Sequence, residues 1–194
     1  MKKSMLFAVP IAAVLALSGC GAEAAPEQSA PAKPVPASTT APAQNVRTPE
    51  TNKRMYQDSA EGLASFTYYY FDAKNIALQT GDAQLLRGIA EDCASCLAEA
   101  DAIEAVYSDG GWIVGGQPKA LNVVAVGKQD KKGVLSAVVP FMEDASTTIG
   151  KDGKVVDSKE WNPDGTVLTV KAKYADGAWH MLSVKETPDA ELPQ

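Results

Sequence analysis

The spacing of hydrophobic residues changes abruptly at Asp109-Gly110-Gly111. Before this point, apolar residues recur at steps of three and four, which is the spacing of one face of an α-helix. After it, short runs of β-branched and aromatic residues alternate with turn residues, a pattern typical of antiparallel strands. This order predicts an α+β fold in which three N-terminal helices pack on a curved antiparallel sheet of about five to six strands.

Three helices are predicted ahead of the change. The first begins at the capping pair Asp58-Ser59 and ends at Gly81, and its aromatic residues lie on more than one face. This helix either packs a wide apolar face on the sheet or lines a pocket with a phenol. The second helix covers about 83–90, and the third covers about 92–107.

Six strands are predicted after the change, separated by turns rich in Asp, Gly and Pro. In the strand that contains Leu168 and Val170, alternate residues are apolar on one face and mostly polar on the other, which predicts one covered and one wetter sheet face. The six predicted ranges are 112–114, 119–127, 134–142, 154–161, 166–174 and 179–185.

The N-terminus has the parts of a secretory signal peptide. Lys2 and Lys3 precede an apolar run that ends at Leu17, and this run is shorter than the roughly 20 residues that span a bilayer. Leu17-Ser18-Gly19-Cys20 resembles the bacterial lipobox, which implies lipidation of Cys20, cleavage before it and acylation of the new amino terminus. We therefore expect a protein anchored by lipid to the extracytoplasmic face of the cell membrane. The alternative is an ordinary signal peptide that contains a cysteine.

Composition predicts the remaining organisation of the chain. Residues 1–19 are the expected signal peptide, 20–54 a disordered tether rich in Pro and Ala, 55–187 the folded domain and 188–194 a flexible tail. The tether has scarcely any large apolar side chain, so it cannot offset the entropy of ordering.

The formal net charge is −6, and cleavage would remove two lysines. An acidic chain without a basic cluster disfavours nucleic acid as a partner.

The order of helices and strands, with the final hairpin around Asp176-Gly177, resembles a superfamily of cone-shaped folds. This superfamily includes nuclear transport factor two, ketosteroid isomerase and the SnoaL-like proteins, and the resemblance covers about residues 58–187. It implies a pocket between the first helix and the concave sheet. We expect this pocket to be lined by Tyr70, Trp112, Phe141 and Tyr174 and to favour an apolar or aromatic ligand. Alternatively, the four rings simply fill the cone.

A second resemblance is to a family of actinobacterial lipoproteins of unassigned function. It implies a cell-envelope protein and supplies no activity. The features that carry it are the lipobox, the Pro-rich tether, Tyr69-Tyr70-Phe71, Thr80-Gly81-Asp82, Cys93-Ala94-Ser95-Cys96 and Tyr107-Ser108-Asp109-Gly110-Gly111.

Cys93 and Cys96 are the only cysteines besides Cys20, and in an oxidising compartment their spacing permits a disulfide. A structural disulfide at the junction of the second and third helices is the favoured interpretation. A redox pair at a helix N-terminus is the alternative, although no predicted strand precedes it as in redox folds. A metal site would need a second Cys or His pair, which the chain lacks.

The sequence contains no recognisable catalytic set. His180 is the sole histidine and lies on a predicted strand, so any triad would depend on it. Ketosteroid isomerase uses a tyrosine and carboxylates in its cone; here Tyr69 or Tyr70 can supply the phenol, but no carboxylate lies in the middle of a predicted strand.

We therefore expect a non-enzymatic binding or accessory module without cofactors. Its expected partner is an envelope protein or a small apolar ligand, and a homodimer is a further option. The alternatives are an isomerase- or hydrolase-type enzyme that uses the cone pocket, and a thiol–disulfide protein that uses Cys93 and Cys96.

Overall fold

The computed structural model describes residues 32–187, and within this range the fold is α+β with three α-helices. The predicted signal peptide, Cys20 and the predicted tail lie outside the described residues. None of the described helices is long and apolar enough to cross a membrane. In chain order, the elements are a 3-10 helix (Lys53–Tyr56), α1 (Ala60–Thr80), α2 (Gln84–Ile89), α3 (Ala94–Ser108), β1 (Trp112–Gly115), β2 (Pro118–Ala120), β3 (Val124–Val126), β4 (Val134–Glu143), β5 (Ser146–Ile149), β6 (Val155–Lys159), β7 (Thr166–Ala175) and β8 (Ala178–Glu186).

The first helix begins and ends where its capping residues predict. The Ser59 side chain accepts a hydrogen bond of 3.0 Å from the Gly62 amide, and the helix stops at Gly81, which has φ +75°. A Cβ at residue 81 would lie 2.3 Å from the Tyr107 ring, so both the backbone angle and the close ring require glycine. The boundaries of α1 therefore follow from local chemistry.

The strands form two antiparallel sheets, where the sequence predicts one. β1, β5 and β6 form a three-stranded sheet in the order β1-β5-β6. The five-stranded sheet has the order β2-β4-β7-β8, and β3 also pairs with β4. The predicted strand 119–127 is split into β2 and β3, which pair with successive parts of β4. β5 was not predicted because three of its four residues carry hydroxyl groups and it shows no apolar alternation.

The hydrophobic core lies between the helices and the five-stranded sheet. α1 contacts strands of both sheets, and α3 contacts β8. Leu63 of α1, Leu86 of α2 and Val170 of β7 are completely buried. Burial of one such side chain contributes roughly 1.5–3 kcal/mol to folding. The core therefore fixes α1 in the position from which its other side chains reach the cavities described below.

Residues 33–45 form a small hairpin within the segment that the sequence predicts to be a tether. Val35 and Gln44 exchange two backbone hydrogen bonds of 2.9 Å each. Pro34 and Pro36 have no amide hydrogen, but Val35 between them carries the pairing. The Trp112 indole donates a hydrogen bond of 2.7 Å to the Ser38 carbonyl, so the hairpin is attached to β1.

Candidate functional site

A groove opens between α1, α3 and the five-stranded sheet, with a cavity volume of about 240 Å³. A neighbouring depression of about 130 Å³ shares Phe141, Glu143, Lys159 and Glu186 with it. We call this feature the interlayer groove. Its floor consists of Tyr70, Phe71, Cys96, Phe141, Leu168 and Val184, and its rim of Lys74, Ser95, Glu99, Glu143, Lys159 and Glu186.

Helical spacing explains how α1 and α3 supply both the floor and the rim. Tyr70 and Lys74 are four residues apart on α1, and Cys96 and Glu99 are three residues apart on α3. Residues three or four apart lie on the same helix face. Each helix therefore directs one floor residue and one rim residue towards the same cavity.

The floor is built around three aromatic rings. The Tyr70 and Phe71 ring centroids are 5.3 Å apart in an edge-on arrangement, and the Phe71 and Phe141 centroids are 5.5 Å apart. Such contacts contribute about 0.5–1.5 kcal/mol beyond the area that they bury. They also link α1 to β4 and so hold the floor in one arrangement.

One ion pair connects the two helices at the rim. The Lys74 ammonium lies 2.6 Å from a Glu99 carboxylate oxygen, and the two side chains are 10% and 39% exposed. A lysine is rarely buried without a partner because desolvation of an isolated ammonium is costly. Glu99 therefore permits the burial of Lys74 on the apolar face of α1.

A second ion pair lies on the sheet side of the rim. Lys159, the last residue of β6, bonds to the Glu143 carboxylate at the end of β4. The Glu143 side chain is 19% exposed, whereas that of Lys159 is 63% exposed. The less exposed carboxylates of the rim, Glu99 and Glu143, are thus each paired with a lysine.

The Tyr70 hydroxyl is held in its neutral form. Burial raises the pKa of Tyr70 well above its ordinary value, and the negative charge of Glu99 raises it further. A neutral phenol can donate a hydrogen bond to a ligand, but it is a poor base near pH 7. The carboxylate beside it is already paired with Lys74, so the groove is better arranged for binding than for proton abstraction.

The four aromatic residues predicted for the pocket lie in three different parts of the molecule. Tyr70 and Phe141 line the interlayer groove. Trp112 lies on β1 and bonds to the hairpin. The Tyr174 ring packs 5.3 Å from that of Trp179, and its hydroxyl donates a hydrogen bond of 2.9 Å to the Tyr56 carbonyl. Both residues therefore have structural contacts outside the groove.

The charged rim is the part of the groove that sequence patterns did not reveal. One signal was available, because Lys74 falls on the apolar stripe of α1 beside Ala73 and Ala77. A lysine in that position indicates a buried ion pair. Its partner on α3 and the second pair on β4 and β6 come together only through tertiary structure.

Cys93 and Cys96 form a disulfide, as the sequence predicts, with an S–S distance of 2.04 Å. Cys93 is the N-cap residue of α3, and Cys96 lies within the first turn. The two residues are 0% and 2% exposed. Thiol–disulfide exchange requires access of a thiolate to one sulfur. Burial of both residues favours a structural disulfide beneath the groove.

His180 does not belong to the interlayer groove. It lies on β8, and its Nδ1 is 3.8 Å from a Glu91 carboxylate oxygen. Its side chain is 27% exposed. Between residues 32 and 187, no group of three or more His, Cys, Asp or Glu side chains is arranged to hold a metal ion.

Comparison with known proteins finds a family but no activity. The model of a family of unknown function, DUF6318, matches residues 33–185. No curated protein matches the chain. The intermembrane space region of the chloroplast protein ARC6 is 9% identical with a TM-score of 0.46, covering 68% of this chain and 98% of that one. The Kfla4162 protein from Kribbella flavida is 12% identical with a TM-score of 0.42, covering 68% and 94%.

Proposed function

This chain belongs to DUF6318, a family of unknown function, and we propose that it is a lipid-anchored binding or accessory module of the cell envelope. The observation that carries the proposal is the interlayer groove, which combines an aromatic floor with a rim of paired charges. Apolar cavities with a few convergent polar groups are the usual form of ligand sites.

The proposed location rests on the N-terminal sequence. Lys2 and Lys3, the short apolar run and Leu17-Ser18-Gly19-Cys20 together form a lipoprotein signal. Stable attachment needs about two acyl chains, and a diacylated or triacylated Cys20 would supply them. The domain would then lie on the extracytoplasmic face of the membrane.

The chemistry of the groove favours a ligand with an apolar part and a polar part of mixed charge. The rings of Tyr70, Phe71 and Phe141 can cover an apolar group. The Tyr70 hydroxyl can donate a hydrogen bond, and the two lysine–glutamate pairs offer both signs of charge at the rim. A small amphipathic molecule or an apolar side chain of an envelope protein meets these requirements.

A small-molecule enzyme is the second candidate, favoured by the proximity of Glu99 to the Tyr70 phenol. It would require Glu99 to leave its contact with Lys74 and act as a base. A thiol–disulfide function would require exposure of Cys93 or Cys96, both of which are buried. Binding requires neither rearrangement, and we therefore place it first.

Site-specific crosslinking in intact cells tests the groove. A photo-crosslinking amino acid at Ser95, an exposed residue of the rim, should capture the bound molecule, which mass spectrometry then identifies. The matched control carries the same group at Lys131, an exposed turn residue outside the groove. Absence of an adduct at Ser95, or the same adducts at both positions, would contradict the proposal.

Fractionation of the Cys20→Ala variant tests the anchor separately. The wild-type chain should be found in the membrane fraction, and mass spectrometry should detect acyl chains on Cys20. The variant should lose the acyl chains and leave the membrane fraction. If it stays there unchanged, the anchor at Cys20 is wrong, whatever the crosslinking experiment shows.

A further inference from the structure

A second cavity of about 160 Å³ lies between the 3-10 helix, α1, the end of α2 and the start of β8. It shares no lining residue with the interlayer groove. Four aromatic side chains line it together with a methionine and a glycine. We call it the aromatic pocket and define it by Met55, Tyr56, Phe66, Tyr69, Gly88 and Trp179.

The floor of the aromatic pocket is fixed before any ligand binds. Phe66 is 1% exposed and Trp179 is 2% exposed. The Trp179 indole donates a hydrogen bond of 2.9 Å to the Gln57 carbonyl, and its ring packs against Tyr174. A ligand would therefore meet rings that are already ordered, which lowers the entropic cost of binding.

The charges around the aromatic pocket favour a cation. No lysine or arginine is found among the described residues that line it. Burial raises the pKa of Tyr69, and the negative charge of the nearby Asp72 carboxylate raises it further. Glu91 approaches His180, which also borders the pocket.

Gly88 is an exposed lining residue of this pocket and carries no side chain. It is the next-to-last residue of α2, where glycine is less favourable than alanine. A Cβ at this position would have no atom within 4 Å, and the backbone angle does not require glycine. The space beside Gly88 is therefore open to a larger side chain.

We propose that the aromatic pocket binds a quaternary ammonium group. The faces of Tyr and Trp rings attract organic cations. A quaternary ammonium has no N–H groups that must find hydrogen-bond partners when it leaves water. The volume of about 160 Å³ suits a head group more than a drug-sized molecule, which needs at least about 300 Å³.

Choline and its neutral isostere 3,3-dimethyl-1-butanol provide the first test. The purified full-length chain, kept free of choline-containing lipids and detergents, is titrated with each compound while the indole N–H resonance of Trp179 is followed. Choline should shift this resonance saturably, and the alcohol should bind about tenfold more weakly, which corresponds to 1.4 kcal/mol. Trp161, which is 50% exposed, serves as an internal control. Equal affinity for both compounds, or no saturable shift with choline, overturns the proposal.

Substitutions of Gly88 test whether choline binds in the aromatic pocket. Gly88→Leu should place a large side chain in the open space beside the pocket lining and weaken choline binding at least about tenfold, whereas Gly88→Ala should bind choline like the wild type and is the matched control. Unchanged choline binding by a folded Gly88→Leu variant overturns the proposal. If that variant does not fold, Tyr69→Leu and Tyr69→Phe replace the pair, because only phenylalanine keeps a ring in the pocket.

Lipid vesicles distinguish two sources of the same chemistry. If the natural ligand is a lipid head group, phosphatidylcholine vesicles should shift the Trp179 resonance and phosphatidylglycerol vesicles should not. If the natural ligand is a free small molecule, choline should shift the Trp179 resonance and neither kind of vesicle should. Either result, together with saturable choline binding, is consistent with the proposal, and a response to phosphatidylglycerol alone contradicts it.

Discussion

The interlayer groove and the aromatic pocket use neighbouring residues of the same helix but differ in their charge. Tyr70 of α1 lines the groove and Tyr69 lines the pocket. The groove has lysine–glutamate pairs at its rim, whereas the pocket has carboxylates nearby and no lysine or arginine among its described lining residues. The comparison shows that one aromatic helix can line two cavities when adjacent residues on different sides of it meet different partners.

The largest expected effect comes from Phe66→Ala, which removes a core ring that lines the aromatic pocket and not the interlayer groove. Phe66 is 1% exposed, and truncation of a buried phenylalanine typically lowers the free energy of unfolding by about 3–5 kcal/mol. Tyr68→Ala, at a residue that is 40% exposed on the same helix, should cost less than about 1 kcal/mol. Urea denaturation followed by circular dichroism measures both. A similar loss in the two variants would show that the pocket floor is not part of the core.

Removal of the disulfide should affect the groove more than the pocket. Replacement of both Cys93 and Cys96 by serine should lower the free energy of unfolding by about 2 kcal/mol, because the closed loop is short. The resonances of Tyr70 should shift and those of Tyr69 should not, since Cys96 lines only the groove. Equal shifts at both tyrosines would mean that the two cavities are coupled through α1.

Alkaline pH should destabilise the protein through Tyr70. Because its pKa is raised in the folded state above the ordinary value of 10.0, the folded protein retains a proton that the unfolded chain loses. The stabilisation is present below about pH 10 and is lost as the pH rises further, at up to about 1.4 kcal/mol per pH unit. Urea denaturation at pH 9 to 11 measures the free energy of unfolding at each pH. This free energy should fall less steeply with rising pH for Tyr70→Phe than for the wild type. Equal slopes would refute the assignment to Tyr70.

The smallest losses of stability are expected from the two ion pairs of the groove, and the two pairs should differ in size. Glu99→Gln leaves the nearly buried Lys74 without its carboxylate and should cost about 1–2 kcal/mol, a value reduced from that of a fully buried pair because Glu99 is 39% exposed. Glu143→Gln should cost less than about 1 kcal/mol because Lys159 is largely in solvent. Thermal denaturation at low and high salt compares them. A larger loss of stability for Glu143→Gln than for Glu99→Gln would contradict the prediction that the Lys74–Glu99 pair contributes more to folding.

Local features of the sequence predicted the helices well and the sheets only in part. Ser59 and Gly81 define the ends of α1 because capping depends on adjacent backbone groups. The division into two sheets depends on which strands pair at long range, and β5 has no hydrophobic pattern to indicate it. The hairpin at residues 33–45 was not predicted because its composition resembles that of a disordered linker.

The sequence also predicted only part of the candidate site. Tyr70 and Phe141 were identified by their apolar rings, but rings alone did not separate them from Trp112 and Tyr174, which contact other parts of the chain. Glu99 and Lys159 could not be found because each gains its role from a partner on a different element. The disulfide was predictable because both cysteines lie within one short segment.

The bond between Trp112 and Ser38 also bears on the length of the proposed tether. Composition alone assigns residues 20–54 to a linker that adds its whole length to the distance between an anchor and the domain. The pairing of Val35 with Gln44 and the contact of the hairpin with β1 instead make residues 33–45 part of the domain. With the proposed lipid at Cys20, this stretch would then not add to the separation of the domain from a membrane.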